Sequence, residues 1–275
     1  MAPRTFRAAW RAWLLAILIL AAGIWMARSL ATFLLYPAPP LPVGDPPSGW
    51  ESLYLKTDDG FAAAAWFYPG PDGVASGIPL LLLHGNGEHL GTMRSGGTLA
   101  AFEALGRPLL ALDYPGYGDS GGSSGEAANI AAGVAGLDWL AERFPDRPVG
   151  LVGWSLGAGV AMQVADRRPE RLAALAVISP WARLGEVARA HYPAWLVNLL
   201  LKERYDSVAA AWRLSIPVLL VHGGNDRIIP VAQGQRLAEA LPKDSRALFL
   251  PGVGHNDILG HPSLWRALET YLAGR

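Results

Sequence analysis

The chain has 275 residues, of which 51% are hydrophobic, and this is enough for a single α/β domain with a large core. Its 23 basic and 23 acidic residues cancel, so the overall charge argues against a nucleic-acid partner. Because the sequence contains no cysteine, disulfide bonds and thiolate metal sites are excluded.

The N-terminal segment predicts a membrane anchor. Arg4, Arg7 and Arg11 precede Ala12–Ala27, a stretch of 16 residues without a charged side chain. Aromatic residues of the kind found at membrane interfaces occur around it, namely Trp10, Trp13, Trp25 and Tyr36. We therefore expect residues 1–36 to form a single transmembrane helix.

The arginines also predict an orientation. Positive charge before a span favours a cytoplasmic N-terminus, which would leave the rest of the chain on the outer side, periplasmic or extracellular. A cleaved signal peptide is the alternative, because Ala21-Ala22-Gly23 supplies small residues after a short apolar stretch.

A proline-rich linker, residues 37–50, precedes a domain that we place at residues 51–275. Glu51–Lys56 and Ala62–Tyr68 predict a β-hairpin with its turn at residues 57–60. Short apolar runs then alternate with helical segments, which predicts a mostly parallel sheet with helices on both faces and ligand loops at the carboxyl ends of the strands. The runs are Leu80–Leu83, Leu109–Leu112, Val149–Val152, Ala174–Ile178, Val218–Val221 and Ala247–Leu250. Residues 180–215 predict a small helical cap.

The segment Gly153-Trp154-Ser155-Leu156-Gly157 fits the pattern G-x-S-x-G, in which a serine lies on a sharp turn between a strand and a helix. The flanking sequence agrees, because Val149–Val152 predicts a buried strand and Leu156–Asp166 a helix rich in small residues. Ser155 is therefore the predicted nucleophile of a serine hydrolase.

A serine hydroxyl needs a base and a group that orients the base. Where G-x-S-x-G marks the nucleophile, the acid and then the histidine follow it along the chain. Asp226 follows the penultimate predicted strand and His255 follows the last one. Asp257 and Glu51 are alternative acids, although neither follows a strand at the place where this order puts the acid.

Two backbone N–H groups are needed to stabilise the oxyanion of the tetrahedral intermediate. Leu156 supplies the first, and His84-Gly85-Asn86-Gly87 the second. We choose Asn86 over its neighbour Gly87. Ser120 lies in the string Gly118–Gly122, which also surrounds the nucleophile of chymotrypsin-like proteases, but the alternating pattern of this chain does not suit their two β-barrels.

Five segments together resemble the α/β-hydrolase superfamily over roughly residues 51–272: His84–Gly87, Asp113–Gly122, Gly153–Gly157, Gly223–Pro230 and Gly254–Asp257. The anchor, the short cap and the Gly-His-Asn-Asp ending are similar to the bud-emergence-like serine hydrolases, relatives of acyl-protein thioesterases. The resemblance implies Ser155 as nucleophile, Asp226 as orienting acid and His255 as general base, with no cofactor and no metal. One departure is Gly87-Glu88, where relatives often carry Ala-Gly.

These residues predict a membrane-anchored serine hydrolase that cleaves carboxylic esters or thioesters of a small-molecule or acyl substrate through an acyl-enzyme. Two alternatives stay open: a non-catalytic acyl-binding or scaffolding protein on the same fold, and a serine peptidase.

Overall fold

The computed structural model describes residues 4–58, 60–71, 77–273 and 275. Residues 1–3 of the predicted anchor, residue Asp59 of the predicted hairpin turn, and residues 72–76 and 274 of the predicted domain lie outside the described residues.

The described residues form one eight-stranded sheet with the order β1-β2-β4-β3-β5-β6-β7-β8. The strands are β1 (Glu51–Lys56), β2 (Ala62–Tyr68), β3 (Leu80–Leu83), β4 (Leu109–Leu112), β5 (Val149–Trp154), β6 (Leu172–Ile178), β7 (Val218–Gly223) and β8 (Arg246–Leu250). Pairing is antiparallel at β1–β2 and β2–β4 and parallel from β4 onward. The predicted mostly parallel sheet is confirmed.

Every predicted strand is present, and the last four are longer than predicted. At the carboxyl end of β7, His222 and Gly223 still pair with Phe249 and Leu250. Likewise Trp154 pairs with Ile178 at the end of β5. In the sequence, polar residues and glycines at these positions suggest that the strand has ended. In the structure the β-sheet hydrogen bonds continue, because neighbouring strands supply partners for the backbone groups.

The described part of the chain contains ten α-helices. They are α1 (Arg4–Leu35), α2 (Leu90–Ser95), α3 (Thr98–Glu103), α4 (Glu126–Arg143), α5 (Leu156–Arg167), α6 (Leu184–His191), α7 (Ala194–Leu200), α8 (Ser207–Ala211), α9 (Val231–Ala238) and α10 (Pro262–Leu272). Both faces of the sheet are covered: Leu81 and Leu83 belong to one buried apolar cluster, and Leu80 and Leu82 to another. Side chains alternate across a strand, so each face has its own core.

The predicted cap region contains α6, α7 and α8, which lie between β6 and β7 in the chain. Val187 of α6 and Val197 of α7 are buried, whereas Trp195 is 69% exposed. The cap is therefore packed onto the domain on one side and open to the surroundings on the other.

Helix α1 has 32 residues and contains one candidate membrane span, Trp13–Leu35, with a mean hydropathy of 2.0. The helix passes Arg28 without a break, so the two apolar runs that flank this residue form one continuous element. Its last turn reaches the domain, because Tyr36 directly after it is buried and lies 3.3 Å from Tyr205, hydroxyl to hydroxyl.

Candidate active site

Ser155 lies on a sharp turn between β5 and α5. Its backbone has φ of 54° and ψ of −112°, in a region that residues other than glycine rarely adopt. The glycines on either side allow the turn because there is no room for a side chain. A Cβ atom at Gly153 would lie 2.2 Å from the carbonyl oxygen of Gly157, and one at Gly157 would lie 2.0 Å from that of Leu83. The local sequence thus permits a close backbone crossing that holds Ser155 in this conformation.

The structure brings the three predicted catalytic side chains together. The Nε2 atom of His255 lies 2.9 Å from the Oγ atom of Ser155, and its Nδ1 atom lies 2.6 Å from the Oδ2 atom of Asp226. Each of the three residues is only 7% exposed. They meet because β5, β7 and β8 run parallel, so that the loops that follow these strands lie at the same edge of the sheet.

Asp226 is held by more than its contact with His255. Its Oδ1 atom accepts hydrogen bonds from the backbone N–H groups of Ile228 and Ile229, at 2.9 and 2.8 Å. The Nε2 atom of His222 lies 3.4 Å from Oδ2. Burial alone would raise the pKa of Asp226, but the hydrogen bonds from His222 and His255 lower it further than burial raises it. Asp226 is therefore ionised and fixed in orientation near neutral pH.

The two predicted oxyanion donors lie on neighbouring segments, Asn86 in the loop after β3 and Leu156 at the start of α5. Leu156 is the first residue of α5, and Gly157 beside it packs against the carbonyl oxygens of Leu83 and His84 at the start of the Asn86 loop. Among the described residues, the backbone N–H groups of Asn86 and Leu156 make no backbone hydrogen bond that would occupy them. Their role as oxyanion donors stays a prediction.

The side chain of Asn86 is engaged away from Ser155. Its Nδ2 atom donates to the carbonyl oxygen of Leu35 at the end of α1, at 2.6 Å. Its Oδ1 atom accepts from the hydroxyl of Tyr117, at 2.5 Å. Asn86 thus connects the loop after β3 with the N-terminal helix and with the Asp113–Gly122 loop.

Three neighbours of the site were given no role there by the sequence analysis. Glu88 accepts a hydrogen bond from the backbone N–H of Gly85 at 3.0 Å, and burial raises the pKa of this carboxyl group to about 7. The ring of Trp154 lies 5.8 Å from that of His255, centroid to centroid, and so close to Gly85 that a Cβ atom there would lie 2.8 Å from it. His222 supports Asp226, as described above.

Two of these neighbours had a signal in the sequence. Trp154 occupies the first variable position of G-x-S-x-G, and Glu88 stands in the one departure from the family pattern. His222 had none, since a histidine at a strand end predicts only a turn.

The alternative nucleophile and acids have other partners. The Oγ atom of Ser120 donates to the carbonyl oxygen of Asp113 and accepts from the N–H of Ala64, both at 2.8 Å. Asp257 accepts from the N–H of Gly254 at 3.1 Å, and Glu51 is exposed at the start of the edge strand β1. In the part of the chain that the structure describes, no group of three or more His, Asp or Glu side chains is placed to hold a metal ion.

Known proteins share this architecture. Residues 78–208 match the family model for the alpha/beta hydrolase fold, and residues 198–274 match the model for TAP-like proteins. The uncharacterized protein Rv2307c of Mycobacterium tuberculosis is 35% identical over 213 residues, covering 77% of this chain and 74% of that protein. The lysophosphatidylserine lipase ABHD12 of Rattus norvegicus is 29% identical over 230 residues, covering 73% of this chain and 57% of that protein.

Among solved structures, the esterase Pf2001 of Pyrococcus furiosus superposes with a TM-score of 0.70 at 20% identity, over 86% of this chain and 98% of the esterase. Est1E of Butyrivibrio proteoclasticus, with ferulic acid bound, superposes with a TM-score of 0.65 at 20% identity, over 80% of this chain and 97% of Est1E. At these identities the likeness concerns the fold. The family-model matches and the similarity to Rv2307c show that the chain belongs to the alpha/beta-hydrolase superfamily.

Proposed function

We propose that the protein is a serine hydrolase that cleaves carboxylic esters or thioesters through an acyl-enzyme. The observation that carries the proposal is the continuous chain of contacts from Ser155 through His255 to Asp226, at 2.9 and 2.6 Å. Superfamily membership supports it, as do similar proteins named as esterases and as a lysophosphatidylserine lipase. The anchor and the predicted likeness to acyl-protein thioesterase relatives favour an acyl substrate.

Acylation begins at Ser155. The Nε2 atom of His255 accepts the hydroxyl proton while Oγ forms a bond to the carbonyl carbon of the substrate. The oxyanion accepts hydrogen bonds from the N–H groups of Leu156 and Asn86. When the carbonyl re-forms, the bond to the leaving group breaks, and the alcohol or thiol departs with the proton from His255. Asp226 holds His255 with Nδ1 protonated, so that Nε2 is free to accept the proton.

Deacylation repeats these steps with water. His255 takes a proton from the water as its oxygen attacks the acyl carbon, and it then returns the proton to the Oγ atom of Ser155 as the carboxylic acid leaves. The residues of the chain supply every proton transfer in this scheme, and Asp226 remains ionised throughout.

Residues 1–36 act as a membrane anchor in this proposal, residues 37–50 as a linker and residues 51–275 as the hydrolase domain. The candidate span Trp13–Leu35 supports the anchor, and Arg4, Arg7 and Arg11 before it support a cytoplasmic N-terminus with the domain on the outer side. A signal sequence has similar length and composition. The size of the protein isolated from whole cells therefore decides between a retained anchor and cleavage.

The test is hydrolysis of nitrophenyl esters from acetate to palmitate by the wild type, with Ser155→Ala as the matched control. The variant is expected to lose on the order of 10⁶-fold in turnover, because the three residues act as a unit. A short-acyl optimum would indicate a small-molecule esterase, and a long-acyl optimum a lipid or acyl-protein substrate. If Ser155→Ala keeps wild-type turnover, the proposal is wrong. A folded wild type without turnover would favour the acyl-binding alternative.

A further inference from the structure

One edge of the cap exposes an apolar surface. This cap edge consists of Tyr192, Pro193, Ala194, Trp195 and Leu199, all of them exposed, with Tyr192 61% and Trp195 69% accessible. Residues 192–201 include no charged side chain. Trp195 and Leu199 are four residues apart on α7 and so share one face, whereas Val197 is buried against the domain.

The cap edge lies beside the candidate membrane span. Helix α1 packs against α7, and the Nε atom of Arg28 donates a hydrogen bond to the carbonyl oxygen of Leu199 at 2.8 Å. Residues 13–23 of α1 are exposed on all sides, whereas from Ile24 onward the helix carries a half-buried stripe that includes Ala27, Ala31 and Leu35. These positions recur every three or four residues, so one side of the helix faces the domain and the other side is free.

The length of α1 determines where the contact between Arg28 and Leu199 lies relative to the membrane surface. From Arg11 to Arg28 an α-helix rises about 26 Å, which is close to the hydrocarbon thickness of a bilayer, about 30 Å. If Arg11 lies at one membrane boundary, Arg28 lies near the other. The part of the span that is clear of the domain, Trp13–Gly23, is only about 16 Å long and cannot cross the bilayer by itself. A spanning α1 therefore carries the cap edge down to the membrane surface.

We infer that the cap edge is a second membrane-contact surface, seated in the interfacial layer of the same bilayer that α1 crosses. The inference rests on the proposed anchor. Trp195 and Tyr192 are residue types that favour this layer, where a ring is buried among lipid and its polar atom meets water. Exposed apolar residues that are scattered singly need no partner, but residues 192–195 are exposed in succession, carry no charge of their own and belong to the segment that packs beside the span.

The end of α1 lies beside the predicted oxyanion loop. The carbonyl oxygen of Leu35, the last residue of α1, accepts a hydrogen bond from the side chain of Asn86 on the predicted oxyanion loop. The backbone of Pro37 also lies close to this loop, 3.8 Å from where a Cβ atom at Gly87 would be. With the cap edge at the bilayer surface, the predicted oxyanion loop lies beside the end of the spanning helix, and the class of substrate that this placement favours is an acyl ester drawn from the bilayer.

The absence of native cysteine allows a direct test on the full chain in lipid vesicles. Ala194→Cys places an environment-sensitive fluorophore on the cap edge and leaves Trp195 intact. Ala247→Cys is the matched control, because it is an exposed alanine on the edge strand β8 and the charged residues Lys243, Asp244 and Arg246 precede it. Quenching is measured with nitroxide-bearing lipids and with aqueous iodide. In each sample a fluorophosphonate probe reports whether Ser155 is reactive.

The label at position 194 is expected to be quenched several-fold more by lipid nitroxide than the label at position 247, and several-fold less by iodide. Adding Trp195→Glu is expected to reverse this difference, since a charged side chain opposes insertion. Equal iodide quenching at the two positions would overturn the inference. A label at position 194 that is protected from iodide but is not quenched by lipid nitroxide would also overturn the inference. If this protection disappears when the protein is diluted in the membrane, the surface is a contact between copies of the chain. An unreactive Ser155 with a lipid-quenched label would refute the proposed hydrolase and leave the docking surface standing.

Discussion

Replacing Asp226 by asparagine tests how the base is oriented, because the structure dictates how the new side chain must sit. The Oδ1 position accepts from the N–H groups of Ile228 and Ile229, so the amide oxygen of asparagine has to take that place. The amide nitrogen then takes the Oδ2 position, 2.6 Å from the Nδ1 atom of His255. An amide NH₂ can only donate, so Nδ1 must become the acceptor.

The change of hydrogen-bond direction at Nδ1 is expected to lower the activity of Asp226→Asn. With Nδ1 as acceptor, neutral His255 carries its proton on Nε2, which is the atom that has to accept the proton of Ser155. The wrong tautomer and the lost carboxylate charge together are expected to lower kcat by about 10⁴-fold, or about 5 kcal/mol of transition-state stabilisation. The reverse exchange, with the amide nitrogen at Oδ1, would leave two backbone N–H groups facing a donor, which is also costly.

The assay is kcat on the best nitrophenyl ester, with thermal unfolding to confirm that the variant is folded. Asp257→Asn is the matched control, because Asp257 is exposed and its side chain accepts a hydrogen bond from the N–H of Gly254, a role that asparagine can keep. The control is expected to retain wild-type activity. A folded Asp226→Asn variant within about ten-fold of the wild type would refute the role given to Asp226.

Two further substitutions test the supports of the site. Gly157→Ala places a Cβ atom 2.0 Å from the carbonyl oxygen of Leu83 and is expected to lower the free energy of unfolding by at least about 2 kcal/mol. Gly125→Ala is the control and is expected to be neutral, because Gly125 has an extended backbone with φ of 179° and no atom within 4 Å of an added Cβ. Glu88→Gln removes a carboxyl group whose pKa burial raises to about 7. The unfolded chain ionises at a lower pH than the folded protein, so the stability of the wild type falls as pH rises. Relative to the variant, the wild type is expected to lose up to about 3 kcal/mol between about pH 5 and about pH 8. Denaturant titrations at both pH values check this, and parallel curves for Glu88→Gln and wild type would contradict it.

Much of the fold could be predicted from the sequence because its strands are nearly continuous apolar runs. Leu80–Leu83 and Leu109–Leu112 are buried on both faces, so composition and length alone mark them as central parallel strands. Strand ends were less predictable. The pairing of Gly223 with Leu250 depends on a partner 27 residues further along the chain, which local pattern does not reveal.

The core of the candidate site could be predicted because chain order in this fold determines which loops meet. Ser155, Asp226 and His255 each follow a strand of the parallel part of the sheet, so identifying the strands was enough to bring the side chains together. Their supporting contacts could not be predicted. The bond from Gly85 to Glu88 and the packing of α1 on α7 depend on side-chain directions and on docking between distant segments.

The central claim is that Ser155 is a nucleophile activated by His255, and covalent labelling by a fluorophosphonate tests it most directly. The reagent is added to folded wild type and to Ser155→Ala, His255→Ala and Ser120→Ala, and the labelled residue is located by mass spectrometry of peptides. One adduct on Ser155 is expected in the wild type and in Ser120→Ala, with none in Ser155→Ala and a strongly slowed reaction in His255→Ala. An unmodified Ser155 in folded wild type, or an adduct on Ser120 in its place, would contradict the account.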